Sequence, residues 1–119
     1  MKSIVGDKSV AFAHRIMDCT DYILNKYKKY SLCDQLFRSG TSIGANIAEA
    51  QYAQSTADFI SKLSISQKEC NETSYWLELA FYGKYIDEAM FNSLMADNQE
   101  LMKLLTSIIV KVKNKNGDK

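Results

Sequence analysis

Few residues of this chain carry the chemistry to act on a substrate: one histidine, His14, three cysteines, Cys19, Cys33 and Cys70, and the carboxylates Glu69, Glu72 and Glu78. A single imidazole rules out histidine-rich metal sites and the paired Glu-x-x-His arrangement that holds two metals inside a helical bundle. The cysteines are odd in number and lack CxxC spacing, which argues against a disulfide framework and a structural zinc site. A nucleophilic cysteine needs a base, and His14 is the one imidazole available to three thiols. Buried apolar filler is the simpler role for Cys70, and a surface position on a helix is the simpler one for His14. Glu69, Glu72 and Glu78 follow one another along a helical segment, where carboxylates are solvated or paired with Lys68 far more often than they form an acid–base couple. Gly40-Thr41-Ser42-Ile43-Gly44 resembles a phosphate loop but lacks the Lys-Ser/Thr that must follow it. Close helix packing explains it better. The chemistry-bearing residues therefore predict no catalytic site, no metal, no cofactor and no enzyme.

What remains is charge. Lysine and arginine total 15 against 14 aspartates and glutamates, a net charge of +1, so attraction to nucleic acid or acidic membranes must come from local patches. Two patches stand out, Lys26, Lys28 and Lys29, and Lys111, Lys113 and Lys115. Each ends an expected helix, where cations gain about 0.3 to 1 kcal/mol from the helix dipole, so a structural account stands beside nucleic-acid binding. Arg38 is open to two roles, a phosphate contact or an ion pair with Asp34 one helical turn earlier.

The elements that must position these residues are helices. Proline is absent and glycines number five, so few points force a break. Asp7 is the expected N-cap of a first helix, with Phe12, Ile16, Ile23 and Tyr27 on one stripe. Ser31-Leu32-Cys33-Asp34 reads as a capping box opening a second helix, whose inner face carries Leu36, Ile43 and Ile47 with the small residues Gly40, Gly44 and Ala48 between them. Ser55-Thr56-Ala57-Asp58 is a second capping box, and Gly83 fits the left-handed position that closes a third helix. Asp87 caps a fourth, with Ile86 and Phe91 placed as a hydrophobic staple. Along it Phe91, Leu94, Asn98, Leu101, Leu105, Ile108 and Val112 step by threes and fours, the seam of coiled-coil-like packing. Asn98 is the polar member, either a buried register-setting amide or a solvent-reaching one. The expected helices cover about 8–30, 32–53, 56–82 and 88–113. Short connections make neighbours antiparallel, so the expected fold is an all-α, up-down-up-down four-helix bundle in one domain spanning 1–119.

Phe59, Leu63, Cys70, Leu77 and Phe81 form the expected core face of the third helix. At 100° per residue Ile65, Tyr75, Trp76 and Leu79 fall roughly 120 to 180° away from Cys70. A second apolar stripe either covers the core edge or marks a partner site, and these four residues are the expected self-association surface. No segment reaches the ~20 apolar residues of a membrane span, and charges at Lys2, Asp7 and Lys8 interrupt the start where a signal peptide needs an apolar run. A cytoplasmic protein is expected.

The run Gln35-Leu36-Phe37-Arg38-Ser39-Gly40-Thr41-Ser42-Ile43-Gly44-Ala45-Asn46-Ile47-Ala48-Glu49-Ala50 closely resembles the signature of a bacterial family called four helix bundle proteins. Gln54 to Ser66, then Lys68-Glu69, Glu72-Thr73 and Tyr75-Trp76-Leu77, and Ala11-Phe12-Ala13 near the start, also look like family positions. Members are encoded in intervening sequences of large-subunit ribosomal RNA genes, and relatives are accessory proteins of diversity-generating retroelements that form pentameric rings. The resemblance implies a non-enzymatic homo-oligomer, five copies by analogy, with RNA or DNA and a reverse transcriptase as partners. A protein-only adaptor is the competing reading. In either case, a ring would repeat each lysine cluster around one rim.

Overall fold

The structure, a computed structural model, describes residues 3–115; Met1, Lys2 and residues 116–119 lie outside them. Four helices follow in chain order, α1 (Ile4–Tyr27), α2 (Tyr30–Ala50), α3 (Thr56–Tyr82) and α4 (Glu88–Lys115), with no strand among the described residues. Each packs on its chain neighbours, and α4 closes on α1. The result is an up-down-up-down rod measuring 51 × 22 × 22 Å. One pole holds the α1–α2 and α3–α4 turns; the other holds the α2–α3 connection.

Apolar periodicity gives the core directly. Phe12, Ile16 and Ile23 from α1, Leu36, Ile43 and Ile47 from α2, Leu63, Cys70 and Leu77 from α3, and Leu94, Leu101 and Leu105 from α4 are all buried. Ala48, expected on the inner face of α2, is exposed. Phe59 is half-buried, and Phe81 stays partly exposed while stacking on Phe91 at 4.6 Å. Late in α4 the buried residue is Ile109. A straight helix drifts about 20° per heptad against a strict seven-residue repeat, which leaves Ile108 and Val112 half-buried.

The helix ends depart from expectation in four places, one being that α2 stops at Ala50 instead of near residue 53. Ser3, not Asp7, caps α1, accepting from the Gly6 N–H at 3.0 Å, and Asp7 lies in the first turn. The chain reverses after Tyr27 through left-handed Lys28 (φ 60°). Because Lys28-Lys29 is the whole turn, α2 starts at Tyr30 and its N-cap, Lys29, makes no side-chain cap bond. Ser31 thus falls inside the helix and opens no capping box. Gly83 is right-handed (φ −75°) and the left-handed residue is Lys84 (φ 64°). The Tyr85 N–H reaches Ala80 O and the Lys84 N–H reaches Phe81 O, the two bonds of a Schellman closure displaced by one residue. Glycine is needed at 83 because a Cβ there would collide with the Tyr85 ring. Ser55 and Asp87 cap as expected, accepting from Asp58 N–H at 3.0 Å and Met90 N–H at 2.8 Å.

Candidate functional site

The signature run of α2 is built for contact with two helices. A Cβ on Gly40 would stand 2.8 Å from Ile16 Cγ1, and one on Gly44 would stand 3.0 Å from Ser9 Oγ, so both glycines let α1 approach. On the α3 side the Ser39 and Thr73 hydroxyls lie 3.0 Å apart, and Ser66 Oγ donates to Ile43 O at 2.8 Å. Gly40-Thr41-Ser42-Ile43-Gly44 is therefore a helix-packing segment with no phosphate-loop geometry.

Arg38 reaches across to α3 and not back to Asp34. Its guanidinium pairs with Glu69 at 3.3 Å and with Glu72. These two carboxylates are thus the arginine's partners, in place of the expected Lys68. Trp76 Nε1 donates to Glu72 at 3.0 Å. The indole first and Arg38 second hold the Glu72 pKa below its ordinary value, and Glu72 in turn raises that of Arg38.

The three thiols are buried and free. Burial first, with Cys33 beside it, pushes the Cys19 pKa up to about 11, and burial with Glu69 pushes Cys70 up to about 12. At neutral pH these are inert, protonated side chains. His14 is exposed. Among the described residues no group of three or more His, Cys, Asp or Glu could hold a metal ion, and no helix is long and apolar enough to cross a membrane.

The lysine clusters occupy opposite poles. Lys111, Lys113 and Lys115 end α4 and are exposed. Lys26, Lys28 and Lys29 sit at the other pole, where the α3–α4 turn adds Lys84, a residue outside the sequence-derived set. Tyr27 Oη donates to Lys84 O at 3.4 Å, and Lys29 Nζ lies 5.6 Å from the Tyr85 ring centre. Lys26 Nζ lies over the Tyr22 and Tyr27 rings at 5.7 and 5.4 Å. The Tyr22 hydroxyl, then Tyr27, raise the Lys26 pKa, so this ammonium stays charged at physiological pH. None of the four lysines forms an ion pair among the described residues, unlike Lys8, Arg15 and Arg38. Lys84 was hidden from sequence reasoning because only the meeting of two turns places it beside residues 55 or more positions earlier.

The stripe on α3 divides. Tyr75 and Leu79 are 54% and 37% exposed. Ile65 is half-buried, whereas Trp76 leans onto the edge of its own core. At the pole opposite Lys84 an open cavity of about 660 Å³ lies between α1, the α2–α3 connection and α4, floored by Val5, Ile47, Phe59, Leu63 and Ile108. Its sequence signal is slight, the small Ala50 and Ala53 where longer apolar side chains would have filled it.

Long antiparallel helices, inert thiols, a crossed ion-pair cluster and two basic poles define a helical bundle that presents surfaces at its ends and along its faces. Residues 1–107 match the 23S rRNA-intervening sequence protein family, and the chain belongs to it. The crystal structure of a protein of unknown function from the S23 ribosomal protein family of Bacteroides thetaiotaomicron VPI-5482 is 51% identical. That alignment covers 89% of this chain and 98% of the other, with a TM-score of 0.88. No curated protein matches the chain.

Proposed function

We propose that this protein is a non-enzymatic, self-associating scaffold that engages nucleic acid through the pole formed by Lys26, Lys28, Lys29 and Lys84. The observation that carries the reading is the convergence of Lys26, at the end of α1, with Lys28, Lys29 and Lys84 of two separate turns, none of them in an ion pair among the described residues. Four carboxylates, Asp34, Glu78, Asp87 and Glu88, lie within about one helical turn of the same pole, and Asp87 is occupied in capping α4. One copy therefore offers little net positive charge. Assembly supplies the rest, because several poles on one ligand add avidity that no single pole has. The family's name refers to 23S rRNA, and a reverse transcriptase bound to the nucleic acid is a partner of the same kind. Lys111, Lys113 and Lys115 form a second contact zone at the far rim, with Arg38 a weaker candidate because its guanidinium already serves two carboxylates.

Self-association is assigned to the α3 stripe of Ile65, Tyr75, Trp76 and Leu79, with a pentamer as the expected size. Tyr75→Glu with Leu79→Glu should abolish it, since these side chains are exposed and their loss leaves the core intact. Light scattering of the wild type and this variant tests the point; a monomeric wild type sinks it. For binding, a salt titration with RNA and DNA should give a steep loss of affinity, shallower after Lys26→Ala, Lys28→Ala and Lys29→Ala together. The near-neutral net charge and the exposed Tyr75 and Leu79 favour the second reading, a protein-only adaptor, which takes over if the assembled wild type shows no salt-sensitive binding.

A further inference from the structure

We infer that the Lys84 pole is a stacking platform for single-stranded nucleic acid, whose bases lie on exposed tyrosine rings while the lysines between them meet the phosphates. The inference rests on the nucleic-acid reading above and narrows it to one class of ligand. Of seven tyrosines in the chain, Tyr22, Tyr27, Tyr30, Tyr82 and Tyr85 stand at this pole, contributed by three helices and the α3–α4 turn. Tyr27 and Tyr85 form the floor, edge to face at 5.1 Å. Tyr30 and Tyr82 at the same pole are 62% and 86% exposed, and neither is in a ring contact among the described residues. Lys26 and Lys29 hold their ammonium groups over the Tyr22, Tyr27 and Tyr85 rings, while Tyr30 and Tyr82 leave theirs to water. Cations mixed with open rings on one surface are what stack bases and neutralise backbone in sequence-tolerant single-strand binding. A duplex hides its base faces in its own stack and offers only groove edges and phosphates.

The backbone supplies a second, independent observation. Lys28 and Lys84 are the two non-glycine residues with positive φ among the described residues, at 60° and 64°, and both stand at this pole. Glycine would occupy each place without steric penalty. The left-handed backbone costs more than a cation gains from the helix dipole at the same place, so lysine keeps its charge there against a net penalty, and strain of that kind concentrates at functional sites. Tyr27, by donating to Lys84 O, ties the strained turn to the aromatic floor.

The test measures binding of a short mixed-sequence single strand, the matching blunt duplex, an abasic strand of equal length and poly-glutamate of equal charge, all at one salt concentration. The intact single strand should bind about tenfold or more tightly than the other three. Tyr30→Ala and Tyr82→Ala should each weaken it by about fivefold or more, while Tyr30→Phe and Tyr82→Phe retain binding, because stacking needs the ring and not the hydroxyl. Lys28→Gly and Lys84→Gly should raise the melting temperature yet lower affinity and flatten the salt slope, a pairing that a purely structural lysine would not give. Equal affinity for duplex, abasic and intact strands, or tyrosine variants that bind as wild type, overturns the platform and leaves the nucleic-acid reading standing. Poly-glutamate binding as tightly as the single strand overturns it in favour of an acidic protein partner. Failure of every nucleic acid to bind overturns both readings.

Discussion

Replacing Gly40 by alanine tests whether the signature of α2 is there for packing. In an exposed helix this change stabilises by about 1 kcal/mol. Here the new Cβ would lie 2.8, 2.9 and 3.2 Å from Cγ1, Cγ2 and Cβ of Ile16, all atoms of one fully buried side chain. Because Ile16 is β-branched, its χ1 cannot swing clear without strain, so α1 and α2 must separate or the core must deform. Overpacking of this kind costs about 1 to 3 kcal/mol. Set against the propensity gain, Gly40→Ala should destabilise by up to about 2 kcal/mol. Gly44→Ala meets mainly the single Ser9 hydroxyl and should stay within about 1 kcal/mol of wild type. Urea unfolding followed by circular dichroism at fixed protein concentration reads both. The decisive arm is the Ile16→Ala background, where the clashing γ atoms are gone and Gly40→Ala should become neutral or stabilising, a coupling of about 1 to 3 kcal/mol. A stabilising Gly40→Ala in the wild-type background, or additivity with Ile16→Ala, would refute the packing account.

Asn98 is 2% exposed, and its Nδ2 donates to Cys70 O and Ser74 Oγ, while Oδ1 has no partner among the described residues. Asn98→Leu trades two bonds worth about 0.5 to 1.5 kcal/mol each for relief of an unpaired acceptor costing about 1 to 3, so unfolding should shift by no more than about 1 kcal/mol; a loss above about 3 would contradict this balance. Asn98→Asp buries a carboxylate and should cost about 3 to 5 kcal/mol at neutral pH, recovering as acid protonates it. Thiol-reagent kinetics should show Cys19 and Cys70 unreactive in the folded protein at pH 8 and fully reactive in denaturant. Their folded pKa values lie above the ordinary 9.0, at about 11 and about 12. The stability tied to these neutral thiols is therefore whole below pH 9 and is lost progressively as pH rises toward 12. Glu72 has the opposite sign, since its pKa is lowered by Trp76 and then Arg38. Its contribution is present above its ordinary 4.5 and lost as pH falls through the lowered value, so an acid titration of Trp76 fluorescence should show a transition that Glu72→Gln removes.

Four helices, their order, and most of the core residues were legible in the sequence because a 3.6-residue apolar period needs no knowledge of the partner helix. Ser55 and Asp87 were legible as caps because a cap acts on backbone three residues away. The family, too, was written in the run from Gln35 to Ala50, now matched over residues 1–107. Local rules failed where a neighbouring element competed for the same residues. The two-residue turn at Lys28-Lys29 started α2 before its apparent capping box, and the Tyr85 ring required glycine at 83 and moved the left-handed residue to Lys84. Arg38 had an acidic partner one turn away in sequence, but the register of α2 against α3 set Glu69 and Glu72 in its reach. The same register laid Trp76 on the core edge and left Tyr75 and Leu79 outward. The basic pole is completed at the tertiary level: Lys26, Lys28 and Lys29 are a visible cluster in the chain, but Lys84 and the Tyr27–Tyr85 floor join them only because antiparallel packing brings two turns to one end. Sequence periodicity sets which face of a helix is apolar; packing between helices sets which charges and rings distant in the chain become neighbours.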